Sequence, residues 1–173
     1  MPAKRRPAKT RATVAKIPKS KKLESAETQL DGFLAKFTPD VEAMARQALR
    51  KIRARVPGAT ELVYDNYNAL AIGFSPTERA SDAIFSIALY PRWVSLFFLL
   101  SGTKISDSGC YLQGSGSKVR HIVLENPAML DDPAVQDLMA QALELSPKQI
   151  DGGQPRQLII KSVSAKQRPR RPK

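Results

Sequence analysis

The chain is poor in the side chains that most chemistry needs: its 173 residues include one cysteine, one histidine and one tryptophan. A lone thiol, Cys110, excludes an intramolecular disulfide and fits a reducing compartment, here expected to be the cytoplasm. Cys110 and His121 stand eleven residues apart with no carboxylate between them, so neither a zinc pattern nor a facial triad assembles locally. Any Ser-His-Asp or Cys-His arrangement must use His121, which strand alternation puts on the opposite face from Lys118 and Arg120. Uninterrupted apolar runs are also missing. Residues 83–100 come nearest to a membrane span, yet Pro91 and Arg92 occupy their centre, where a turn between two buried strands explains both. The first 22 residues contain no apolar stretch of seven, which removes a secretory signal, and Pro2, Pro7 and Pro18 interrupt the amphipathic helix of a mitochondrial presequence.

Acids are absent from both ends. Residues 1–22 carry Lys4, Arg5, Arg6, Lys9, Arg11, Lys16, Lys19, Lys21 and Lys22, and residues 161–173 carry six more cations, among them Lys166, Arg168, Arg170 and Arg171. These 15 leave 13 of the 28 basic residues to face all 16 acids, so residues 23–160 sum to −3 in a chain whose total is +12. The pattern predicts a disordered basic arm over 1–22, a single domain over 23–163 and a disordered basic tail over 164–173, since the ends offer too little apolar surface to offset the entropy of ordering them. Mobile cationic arms on a nearly balanced body suggest sequence-neutral association with nucleic acid or another polyanion, driven by counterion release. Neither arm has an aromatic, so base stacking is not expected from them.

What is present between the arms reads as α+β. Leu23, Ala26, Leu30, Phe33, Leu34 and Phe37 recur at helical spacing, with Glu24, Glu27 and Asp31 on the opposite face. A second helix starts at Thr38 as N-cap with Pro39 behind it, and Pro57-Gly58 ends it. Strands are predicted near 60–66, 69–75, 83–90, 93–100 and 118–124, mostly as a meander, with residues 157–163 as a last strand. The run 93–100 is apolar at nearly every position, which suggests a central strand covered on both faces. Asp132 and Pro133 open a third helix that Ser146-Pro147 closes.

Candidate ligand-binding residues fall in two places. At residues 114–117, Gly114 and Gly116 free backbone amides, and Lys118 and Arg120 follow on one strand face; the segment either cradles an anion or is a flexible turn. It is no nucleotide P-loop, because Ser115 rather than Lys follows Gly114, and the Ser-x-x-Lys spacing of Ser115 and Lys118 lacks its companion motifs. Tyr64, Asp65 and Tyr67, with Asn66 and Asn68, fall at the junction of the first two strands, as a pocket rim or as ordinary hairpin residues. The residues imply no cofactor. Weak metal binding through Glu24, Glu27 and Asp31 is the alternative to a plain acidic helix face. Arg46, Arg50 and Arg53 share one face of the second helix, as a solvated surface or an extension of the polyanion contact.

The run Tyr90-Pro91-Arg92-Trp93-Val94-Ser95-Leu96-Phe97-Phe98, followed by Gly114-Ser115-Gly116-Ser117-Lys118-Val119-Arg120-His121-Ile122, resembles the YdhG-like family, domain of unknown function 1801. Val56-Pro57-Gly58-Ala59 and Val63-Tyr64-Asp65 fit its layout, and the likeness covers roughly residues 28–145. The family's Gly-Lys step corresponds here to Gly116-Ser117-Lys118, one residue longer. The resemblance implies a small bacterial cytoplasmic protein with an antiparallel sheet of five or six strands packed by two N-terminal helices and one C-terminal helix. The leading reading is a non-enzymatic binding module held near nucleic acid by its arms. The alternative, implied by the iron-chaperone label of some relatives, is iron binding on the acidic first-helix face. A small enzyme using Tyr64, Asp65 and Lys118 is third.

Overall fold

The computed structural model describes residues 19–172, with side chains from Lys22 onward. In chain order the elements are α1 (Lys19–Leu34), α2 (Pro39–Arg55), β1 (Thr60–Asp65), β2 (Leu70–Ser75), β3 (Phe85–Leu89), β4 (Val94–Phe98), β5 (Arg120–Leu124), α3 (Pro133–Glu144) and β6 (Gln157–Val163). They form an α+β fold: two N-terminal helices and one C-terminal helix pack on a six-stranded sheet of order β5-β4-β3-β2-β1-β6. β1 to β5 make an antiparallel meander, while β6 joins the far side of β1 in parallel, with a register shift between Val63 and Tyr64. The sheet is therefore mixed, because the chain crosses back through α3 and enters β6 in the same direction as β1.

Local chemistry explains the boundaries. Asp132 caps α3, its carboxylate accepting from the Ala134 amide at 2.8 Å. Thr38 stands at the α2 N-cap without a side-chain capping bond, leaving Pro39, Asp40 and Glu42 to favour that end. α2 ends at Pro57-Gly58, where Gly58 has φ 81° and a Cβ would lie 2.2 Å from the Asp151 carbonyl oxygen. Only glycine fits that turn. α1 begins at Lys19 rather than near Leu23, so the last residues of the predicted disordered arm are helical. Lys and Ser extend a helix at little cost in propensity.

The core lies on one face of the sheet. Val63, Ile72, Ile87, Leu96 and Ile122 form one row across the strands, and Leu30, Leu34, Ala45, Leu49, Ile52, Val135 and Leu138 of the helices join the same cluster. Each such Leu, Ile or Val contributes roughly 1.5–3 kcal/mol relative to exposure. The register puts two rows on the other face: Tyr64, Ala71, Ala88, Ser95 and Val123, and Leu62, Gly73, Ser86, Phe97 and His121. None of these belongs to the core cluster. The loop after β2 brings Ala83 within 3.6 Å of a Cβ on Gly73, but no helix of the described residues covers this face. β4 is buried at four of its five positions, Ser95 on this second side being 1 % exposed and Phe97 half-buried, so the strand is largely covered on both faces, with no helix on the second side.

Candidate functional site

The hairpin turns at 66–69 and 90–93 lie at one end of the sheet, here the upper end, because Leu70 pairs with both Asp65 and Leu89. β6 also ends there, opposite Asp65. From Ser164 the chain stays against the protein. The Ser164 amide donates to the Asp65 carbonyl at 2.9 Å, and the Arg168 amide donates to the Tyr67 carbonyl at 2.9 Å. Arg170 is only 5 % exposed; its Nη2 donates to the Asp65 carboxylate at 2.8 Å and to the Asn66 carbonyl, and its Nη1 to the Tyr67 carbonyl at 3.3 Å. The guanidinium also lies over the Phe37 ring, 5.5 Å from its centroid. Arg171 donates to the carbonyls of Phe37 at 3.0 Å and Ala35 at 3.1 Å, satisfying acceptors just beyond the C-terminal end of α1.

The expectation of a disordered tail over 164–173 is therefore corrected for residues 164–172. A sequence of like charges reads as self-repelling, but here the side chains of Arg170 and Arg171 find acceptors elsewhere in the fold. Asp65, 1 % exposed, is the centre of the arrangement, with Lys36 Nζ donating to its other oxygen at 2.8 Å. Burial raises the carboxyl's pKa, but hydrogen bonds from Lys36, Gln167 and Arg170 outweigh it and hold the group below its ordinary value. Arg170, assigned above to a nucleic-acid arm, is consumed by this contact. Lys4, Arg5, Arg6, Lys9, Arg11 and Lys16 lie outside the described residues, as do the side chains of Lys19 and Lys21; Lys22 is exposed on α1.

Tyr64, Asp65 and Tyr67 are on or beside the first hairpin, and the Asn66 amide donates to the Ala69 carbonyl at 2.9 Å, so the turn reading holds. Tyr67 is 52 % exposed. Lys118 lies at the opposite, lower end, just before β5, and four inter-strand spacings, about 19 Å, separate β5 from β1. Tyr64, Asp65 and Lys118 therefore do not converge, and the enzyme reading that needed them together is corrected. Gly114 has φ 112° and lies beside His121, whose backbone bridges to Gln113. Arg120 turns back onto the loop, its Nη1 donating to the carbonyls of Gly116 and Val119. The 114–117 loop is held by that arginine, so one of its two expected anion-binding cations is already engaged.

The acidic face of α1 is likewise occupied. Glu27 pairs with Arg53 and Arg156, and Asp31 with Arg46. Arg53 and Arg156 converge in turn on Glu61, which is fully buried; Arg53 binds it through both oxygens at 2.9 and 2.7 Å. Arg46 and Arg53 thus serve ion pairs rather than an open cationic face. With Glu27 and Asp31 drawn to arginines, the Glu24, Glu27 and Asp31 set offers no grouped metal ligands, and no such group of three exists among the described residues.

The helix-free sheet face carries rings that the sequence did not group. Tyr90 and Trp93 stack across the second hairpin with centroids 4.9 Å apart and planes 20° apart, and Phe97 and His121 stack across β4 and β5 at 5.1 Å and 25°. Between the pairs lie Ala88 and Ser95, while Ser86 stands directly opposite Phe97. Trp93 is 45 % exposed and borders a concavity of about 340 Å³ shared with Arg92, Met44 and Val123. Arg92, Lys166, Arg168 and Arg171 are exposed at the upper end and have no carboxylate within 4 Å among the described residues. Alternation in the sequence tells which side chains share a face; it does not tell which face lacks a helix. No family model, curated protein or solved structure matches the chain, so the site is argued from its geometry.

Proposed function

We propose that this protein is a YdhG-like, non-enzymatic module of a reducing, cytoplasmic setting that associates with nucleic acid through sequence-neutral phosphate contacts. The observation that carries the reading is the cationic excess: nine cations and no acid in the sequence of residues 1–22, and the exposed Arg92, Lys166, Arg168 and Arg171 at the upper end, which pair with no carboxylate among the described residues. Asp40 and Glu125 share that end but leave it positive, since Asp65 is already offset by Lys36 and Arg170. The reading differs from the sequence expectation in one respect. The C-terminal cations act from fixed positions on the body rather than from a mobile tail. The exposed, lone Cys110 supports the reducing compartment, and no described helix is long and apolar enough to cross a membrane.

Counterion release makes the reading quantitative. With about six to ten phosphate contacts, affinity for duplex DNA falls by roughly three to five decades between 50 and 200 mM salt. The test is the full chain with Lys4, Arg5, Arg6, Lys9, Arg11 and Lys16 changed to Gln, titrated with duplex DNA at several salt concentrations. The slope of log K against log salt is expected to shrink by up to about five. An unchanged affinity and slope would remove the arm from the interface and sink the proposal.

A further inference from the structure

We propose that the helix-free face of the sheet is a stacking platform for the unpaired bases of single-stranded nucleic acid, an inference that rests on the nucleic-acid reading above and names its preferred substrate. Two near-parallel ring pairs, Tyr90 with Trp93 and Phe97 with His121, stand on this face. By contrast the ring pair inside the core, Phe85 with Phe98, packs edge to face at 83°. A surface pair stacked face to face leaves an outer π surface on which a base extends the stack. Trp93 and Phe97 are four residues apart on one strand, about 13 Å, a span suited to the two or three bases that a sheet face of this kind holds. The residues between them, Ser95 and Ala88, are small and buried, so bases extend the ring stacks rather than reach the sheet floor.

Charge complementarity selects the occupant. Arg92 lies in the turn between Tyr90 and Trp93, Lys166 and Arg168 lie beside the neighbouring turn at the same end, and Lys118 follows the loop that adjoins His121 at the diagonal corner. Cations at both ends of a path over rings are the arrangement a phosphate backbone with splayed bases requires. A second copy of this chain would bring these same cations against each other, since the bordering acids, Asp40, Glu78 and Glu125, are fewer than the exposed cations Arg92, Lys118, Lys166 and Arg168.

Trp93 is the chain's only tryptophan, so its fluorescence reports on this face directly. The full chain is titrated at one fixed salt concentration with an oligothymidylate, a uridine oligonucleotide, a DNA duplex and heparin. The single strands are expected to quench Trp93 and to bind more tightly than the duplex, while heparin binds without quenching. Phe97→Ala is expected to weaken single-strand binding by roughly 5- to 150-fold, the range of one lost base stack, with duplex and heparin binding unchanged; Phe97→Tyr restores it. Equal quenching by heparin, or no single-strand preference alongside intact salt-dependent duplex binding, overturns the platform and leaves the arm reading standing. Binding to none of the four at 50 mM salt defeats both. A concentration-dependent dimer that Phe97→Ala dissociates assigns the face to a second copy and also overturns it. The quenching comparison needs no variant, so the proposal does not hang on whether Phe97→Ala folds.

Discussion

Asp65 is the residue on which most of the upper end depends. Its carboxylate is buried between Lys36 and Arg170, and Arg170 is buried with its Nε unpartnered, so the guanidinium relies on Asp65 and two carbonyls. Removing one member of a buried pair strands the other. Asp65→Ala is therefore expected to lower stability by about 3 kcal/mol, the low end of the usual range because Lys36 is partly exposed and the tail can lift away. The same contact has a pH signature. The folded carboxyl titrates below its ordinary value near 3.8, so Asp65 stabilises fully above that value and the contribution is lost as the pH falls through the lower folded value. Denaturant midpoints of the wild type and Asp65→Asn should thus differ at pH 7, begin to converge as the pH drops below 3.8, and meet only below the lower folded value. A gap that persisted in acid would show that shape, not charge, holds the tail.

At the scale of elements, Gly58 joins α2, β1 and the loop before β6. Its left-handed φ costs an L side chain roughly 1–2 kcal/mol, and a Cβ would also meet the Asp151 and Gln154 carbonyls. Gly58→Ala is expected to exceed that figure in chemical denaturation, by disturbing the approach to β6. A cost near zero would mean that the 151–154 loop moves freely. This turn was legible in the sequence as Pro57-Gly58, and so were the strands, whose β-branched and aromatic runs fall within a few residues of their observed ends. The Asp132 cap was legible because its partner is two residues away. What escaped were contacts whose partners are distant: nothing near Arg170 in sequence announces Asp65, and nothing near Glu27 announces Arg156. The parallel pairing of β6 escaped for the same reason. His121 and Phe97 were visible as residues, but their stacking depends on the pairing of β4 with β5.

For the molecule as a whole, charge is distributed by structure as well as by sequence. α1 begins at the lower end, where Lys22 and Leu23 border a concavity of about 300 Å³ with Pro155 and Ile159, whereas the docked tail fixes its cations at the upper end. A nucleic acid held at both ends would run along the length of the β6 edge or across the helix-free face, and not around a single corner.

The Arg170 contact with Asp65 joins positions 105 residues apart. Closing so long a segment carries a loop entropy that the adjacent strands of the meander avoid, so the meander and its helices assemble first and the arginine arrives late. A contact absent from the transition state governs escape from the native basin rather than entry into it. In stopped-flow experiments Arg170→Ala should therefore leave the refolding arm of the chevron within about twofold while the unfolding arm accelerates; slowed refolding with unchanged unfolding would place the contact in the nucleus instead. The clasp acts as a timer: it sets how long a folded copy lasts, not how quickly one forms.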